Sequence, residues 1–209
     1  MNAGDAGWQR FSYQWNDAFT EATLVPGATS ARKFFGFTDG GADAGHWQVY
    51  PSRRECLRCH NPTAGTVLGP QAAQLQRNVD YGALATNQFG VWLQGVFEPA
   101  EFPPVNPLSS PGDVSEPLGK RARSSLAANC AHCHQPGAEG STRDYRWETP
   151  TRDGGLCDDV LPGDAGYSRL HLRMAARDGG QMPPIATERV DTSALSIVDE
   201  WINSMATCQ

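Results

Sequence analysis

Along the first fifty residues the hydrophobic side chains form no stripe of helical period. Phe11, Tyr13 and Trp15 alternate with polar neighbours, and His46 to Tyr50 is a second short extended run. Such alternation predicts strands. Gly36 to Gly45, with Asp39-Gly40-Gly41 at its centre, predicts a loop or hairpin tip. Beyond residue 50 the pattern predicts helices over Arg53 to His60, Gln71 to Val79 and Asn87 to Val96. The last would carry Phe89, Trp92, Leu93 and Val96 on one side. Residues 99–117 are rich in proline and show no periodicity, which predicts a linker. A further helix starts at Leu118, and residues 135–166 form a Gly/Asp/Pro-rich loop. Tyr167 to Arg177 predicts a short helix. Asp191-Thr192-Ser193 caps a terminal one, with Leu195, Val198, Ile202 and Met205 at helical spacing.

Six cysteines change this picture. Four of them fall in Cys56-Leu57-Arg58-Cys59-His60 and Cys130-Ala131-His132-Cys133-His134. Each run is C-x-x-C followed at once by His, the attachment signature of a c-type haem. On one helical turn the thiols at i and i+3 share a face, where they can form thioethers with the two vinyl groups. The imidazole at i+4 then lies under the iron. A zinc ribbon would place about 15–20 residues between its pairs, and a thioredoxin-like motif would need one pair within a βαβ unit. Two covalently bound haem c groups are therefore expected, held by Cys56, Cys59, Cys130 and Cys133, with His60 and His134 as iron ligands.

Met182, in Gly180-Gln181-Met182-Pro183-Pro184, follows the second motif in a glycine- and proline-stiffened loop before the terminal helix. That placement makes it the expected distal ligand of the second iron. For the first iron two side chains compete, His46 ahead of Met174, and a site with no protein ligand is the alternative. Cys157 and Cys208 remain after haem attachment. In an oxidising compartment they are expected to pair.

The formal charge, 17 basic against 23 acidic residues, is −6, with an isoelectric point near 5.3. Neither half of the chain is basic, which argues against nucleic acid and anionic membranes as partners. No apolar run approaches the ~20 residues of a membrane span, so no transmembrane segment is expected. With 22 glycines, 15 prolines and 39 % hydrophobic residues, the protein core looks thin for 209 residues. Haem would supply the missing apolar bulk.

The run Tyr50 to His60, with Val67-Leu68-Gly69 and Gln74-Leu75, resembles a family of exported dihaem c-type cytochromes. So do Arg121 to Ser124, Asn129 to Gly137, Met182-Pro183-Pro184, Trp201-Ile202 and, near the start, Tyr13 to Asn16 and Ala22 to Leu24. The order of elements from residue 118 onward resembles a class I cytochrome c. Some members of the family are fused to, or neighbour, pyrroloquinoline-quinone-dependent sugar dehydrogenase domains, and they usually carry a further β-rich region upstream. The resemblance implies a periplasmic or extracellular location. It also implies redox donor and acceptor proteins as partners, among them a quinoprotein dehydrogenase or an upstream β-rich domain of the same precursor. The opening Met1-Asn2-Ala3-Gly4-Asp5 has no basic or apolar leader, which suggests a removed signal peptide or an excised C-terminal piece.

The expected fold is mainly α: two cytochrome-c-like haem units packed together, with an irregular or β N-terminal segment and long loops. Residues 1–50 would pack on haem unit 1 at 51–98. The linker 99–117 would lead to haem unit 2 at 118–209. The expected function is electron transfer rather than catalysis. The alternatives are a dihaem peroxidase- or oxidase-like enzyme with an open first iron, and a haem-bearing subunit of a larger surface redox complex.

Overall fold

The computed structural model describes residues 8–39, 42–82, 84–95 and 105–208. Its first part is made of hairpins. Strand β1 (Tyr13–Trp15) pairs antiparallel with β2 (Ala22–Leu24), and β3 (Ala31–Asp39) with β4 (Ala42–Tyr50). The β3–β4 register sets Phe35 opposite His46 and Phe34 opposite Trp47. The strands run on through Gly36 and Gly45 to Asp39 and Ala42, so most of the predicted loop is strand; residues 40 and 41 lie outside the described residues. Gly45 suits its place, because a Cβ there would come within 2.7 Å of the Phe35 carbonyl oxygen.

From β4 the chain enters α1 (Arg53–Cys56) through a reciprocal cap. The Ser52 hydroxyl accepts from the Glu55 amide, and the Glu55 carboxylate accepts from the Ser52 amide. Hydrogen-bonded turns extend this short helix to His60, whose amide donates to the Cys56 carbonyl at 2.9 Å. Next comes α2 (Ala72–Leu75), which ends sooner than its pattern predicts. Gln76 leaves the helical region at ψ 60°, and β5 (Asn78–Asp80) instead pairs with β6 (Ala85–Asn87) around a turn in which Asp80 accepts from the Gly82 amide. Helix α3 (Gln88–Gly95) follows and buries Phe89; the expected positions of Leu93 and Val96 on its face lie outside the described side chains.

The described part of the proline-rich stretch, 105–117, is pinned to its surroundings. Leu108 donates to the Ala73 carbonyl at 2.9 Å, and Ser109 to the Ser124 hydroxyl at 2.9 Å. Helix α4 (Leu118–Cys130) then carries the second motif at its C-terminal end. After a long loop with a 3-10 turn at Leu156–Asp158 come α5 (Arg169–Ala175) and α6 (Thr192–Ser204), the latter capped by Asp191 accepting from the Ala194 amide at 2.9 Å. Helices α4 and α6 pack together where Gly119 meets Trp201; a Cβ on Gly119 would lie 2.9 Å from the indole nitrogen. Leu126, Leu156, Val198 and Ile202 are the buried centre of this region. The disulfide between Cys157 and Cys208, with Cα atoms 5.6 Å apart, ties the 3-10 turn to the chain end.

The expectation of a mainly α fold with two cytochrome units is corrected. The described residues are 27 % helix and 15 % strand, a small mixed α/β structure with two-stranded sheets. The period-two pattern of residues 11–50 goes into hairpins, and the helices α1, α2 and α3 around the first motif have 4, 4 and 8 residues. Segments that short cannot lay down the continuous apolar stripe from which a helical unit is built. No helix among the described residues is long and apolar enough to cross a membrane.

Candidate cofactor site

The second motif opens onto a cavity of about 410 Å³, within the range of cofactor pockets. Cys130 and His134 line it from the end of α4, Met174 from α5, and Met182 and Pro183 from the loop before α6. Met182 is brought there by its backbone, whose amide donates to the Arg173 carbonyl at 2.8 Å. His134 stacks on Tyr145 at 4.7 Å between ring centroids, and Gly140 lies against its Nδ1 side, where a Cβ would approach to 2.6 Å. Burial lowers the basicity of His134 and pushes the Cys130 thiol up to about 12. A neutral imidazole is the form that can donate a lone pair to a metal.

Behind Tyr145 the cavity wall is an ionic network. The Tyr145 hydroxyl donates to Asp159 at 2.8 Å, and Arg143 Nε donates to the same carboxylate at 2.7 Å. Burial alone would raise the Asp159 pKa, but the bonds from Arg143 and Tyr145 outweigh it and hold the carboxylate below its ordinary range. Arg169, Arg173, Arg177 and Arg189 also line the cavity, a basic rim on a chain of net charge −6. The sequence reading overlooked this rim, although the four-residue spacing of Arg169, Arg173 and Arg177 is a visible signal for one helix face.

At the first motif, His60 Nδ1 lies 3.0 Å from the carbonyl of Thr66, a buried residue with φ 66°. A carbonyl can only accept, so Nδ1 carries the proton and Nε2 keeps its lone pair. Arg10 holds the turn from outside by donating to the His60 carbonyl at 2.7 Å. His46, on β4, has its ring between those of Phe35 (6.2 Å) and Phe37 (6.0 Å). Met174 lines the cavity of the second motif and packs against the C-terminal core. Comparison with known proteins brings no relative: no family model, no curated protein and no solved structure matches this chain.

The two motifs meet. Cys59 Sγ and Cys133 Sγ lie 3.5 Å apart, although the residues are 74 positions apart in sequence. With His132 they bring three donor atoms within 4.8 Å of one another. The Cys133 contact, followed by His132, brings the Cys59 thiol down to about 5, while Cys133 is shifted upward. Sequence alone offers no signal for this meeting.

Proposed function

We propose that the chain is an exported dihaem c-type protein that passes electrons between a donor and an acceptor. One observation carries the reading: Met182, 48 positions beyond His134 in sequence, converges with Cys130 and His134 on one cavity of cofactor size. The donors that line it suit haem iron, with the Cys130 thiol for a thioether bond, an imidazole and a thioether sulfur; Cys133, which lies beside Cys59 rather than on the cavity wall, would supply the second thioether bond. When bound, each haem supplies a one-electron Fe(III)/Fe(II) couple.

The chain's own residues do the rest. Thr66 fixes the tautomer of His60, so that Nε2 keeps the lone pair with which it would bind the iron. Tyr145 holds the plane of His134 by stacking, and Asp159 holds Tyr145. The arginines on the cavity rim would offset the two propionate charges that haem brings. His46 remains the proposed candidate for the first iron. The donor class implied by the resemblance is an exported quinoprotein dehydrogenase.

The decisive experiment is intact mass spectrometry of the denatured protein expressed with haem-maturation machinery. Two covalent haems are expected, assigned by peptide mapping to Cys56/Cys59 and Cys130/Cys133; a chain without them overturns the reading. A second reading, a soft-metal site, is favoured by the clustering of Cys59, His132 and Cys133. Thiolate and imidazole donors suit zinc. Free thiols at all four motif cysteines with stoichiometric zinc would establish it instead.

A further inference from the structure

The contacts that bring the two motifs together are specific and lie within a few residues of the motif cysteines. Arg58, inside the first motif, donates through Nε to both carboxylate oxygens of Glu139 at 2.9 Å each. Thr63 donates to the Gly137 carbonyl at 3.1 Å. Cys133 Sγ reaches the Arg58 carbonyl at 3.6 Å and Cys59 Sγ at 3.5 Å. Two tethers that involve no thiol, Arg58–Glu139 and Thr63–Gly137, thus join the first motif and the turn after it to the turn after the second. The Cys59 and Cys133 sulfurs lie in contact beside them.

We infer that the Cys59–Cys133 sulfur pair is the junction through which electrons cross between the two halves of the protein, and that Arg58 and Glu139 are its positioning residues. The inference rests on the dihaem reading above. If each of these sulfurs is bonded to a porphyrin edge, the two edges are joined by two thioether bonds and one van der Waals gap. Electron tunnelling falls steeply with the width of such a gap, so a contact of 3.5 Å makes the pair a short route between them. The step is balanced: one iron goes from Fe(II) to Fe(III) as the other goes from Fe(III) to Fe(II). No covalent bond is made or broken and no proton need move. The Arg58–Glu139 pair is bidentate, a geometry that fixes orientation as well as distance. Its side chains are 36 % and 46 % exposed, so salt should weaken it.

The test uses the haem-loaded full chain and the variants Arg58→Met, Glu139→Gln and Arg58→Lys. Haem count by mass comes first. Low-temperature electron paramagnetic resonance of the oxidised protein then reads magnetic interaction between the two irons, and pulse radiolysis reads the intramolecular exchange rate. Unaltered protein should show interacting ferric signals and fast exchange. Arg58→Met and Glu139→Gln should weaken the interaction and slow exchange several-fold with both haems retained, and Arg58→Lys, which keeps the charge but not the fork, should restore only part of the rate. Raising the ionic strength should slow exchange in the unaltered protein and leave Arg58→Met unaffected. Fewer than two haems overturns the function and this inference together. Two haems with independent ferric signals, or exchange indifferent to all three substitutions, overturns the junction alone.

Discussion

Between Leu118 and Cys208 the chain buries Ala122, Leu126, Leu156, Val198 and Ile202 almost completely, and they form one cluster. Between Trp8 and Gly95 the buried apolar residues among those described are Val25, Leu75 and Phe89. Phe11, Tyr13, Trp15, Phe34 and Trp47 are exposed there instead. The same C-x-x-C-H motif is thus held by two different means. In the C-terminal region it ends a 13-residue helix that packs against another, beneath a disulfide. In the N-terminal region it is held by a capping box, by hydrogen bonds from the Arg10 and His60 side chains to the carbonyls of His60 and Thr66, and by docking onto the second motif. Hydrophobic burial stabilises the first arrangement, and directed polar contacts specify the second. A region without a core of its own is one in which a bound apolar group would contribute most to stability.

The largest expected effect probes the core. Leu126→Ala should cost about 2–5 kcal/mol, the range for truncating a fully buried leucine. Phe19→Ala, at a side chain 64 % exposed, should stay within about 0.5 kcal/mol. Urea denaturation of both variants checks this, and equal losses would break the contrast.

Next comes the disulfide. Replacing Cys157 and Cys208 together by serine reopens a loop spanning 51 positions, which in the chain-entropy model is worth up to about 4 kcal/mol. The loss should fall on residues 118–208. Amide exchange mapped along the chain would show it, and a loss centred on residues 8–95 would contradict the picture of separate supports.

The smallest effect lies at the first motif. Ser52→Ala should loosen α1 by about 1 kcal/mol and leave α4 and α6 unchanged, as read from amide exchange. Hydrogen bonds from Ser30 and Ser52 hold the Glu55 carboxyl at about 2, below its ordinary value. A depressed carboxylate pKa means that the folded state disfavours protonation, so the cap contributes fully above about pH 4–5, the range of a free glutamate. Its contribution is lost as the pH falls through about 2. Amide resonances of residues 53–60 should follow that titration, and Glu55→Gln should abolish it.

The C-terminal region is the more legible of the two in sequence, for a physical reason. Leu195, Val198 and Ile202 recur with helical period because α6 presents one face to a core, and Asp191 caps it as its residue type suggests. Cys157 and Cys208 pair as the count of leftover cysteines implies. Around the first motif the signals are shorter than one period. Gln71 to Val79 resembles a helix until Gln76 turns and Asn78–Asp80 finds a strand partner. The convergence of Met182 with His134 is suggested by the stiff loop before α6, and Met174 joins it from α5. The approach of Cys59 to Cys133 leaves no local trace, since a contact between positions 74 apart imposes no periodicity on either segment.

That approach also bears on the order of assembly. On the reading proposed above, haem would have to be attached at Cys59 and Cys133 before their sulfurs come to lie 3.5 Å apart. The tether from Arg58 to Glu139 forms only once the two motifs have met. Their meeting would then be the last step of biogenesis, and a chain in which they met early would lack a thioether bond at one of these cysteines.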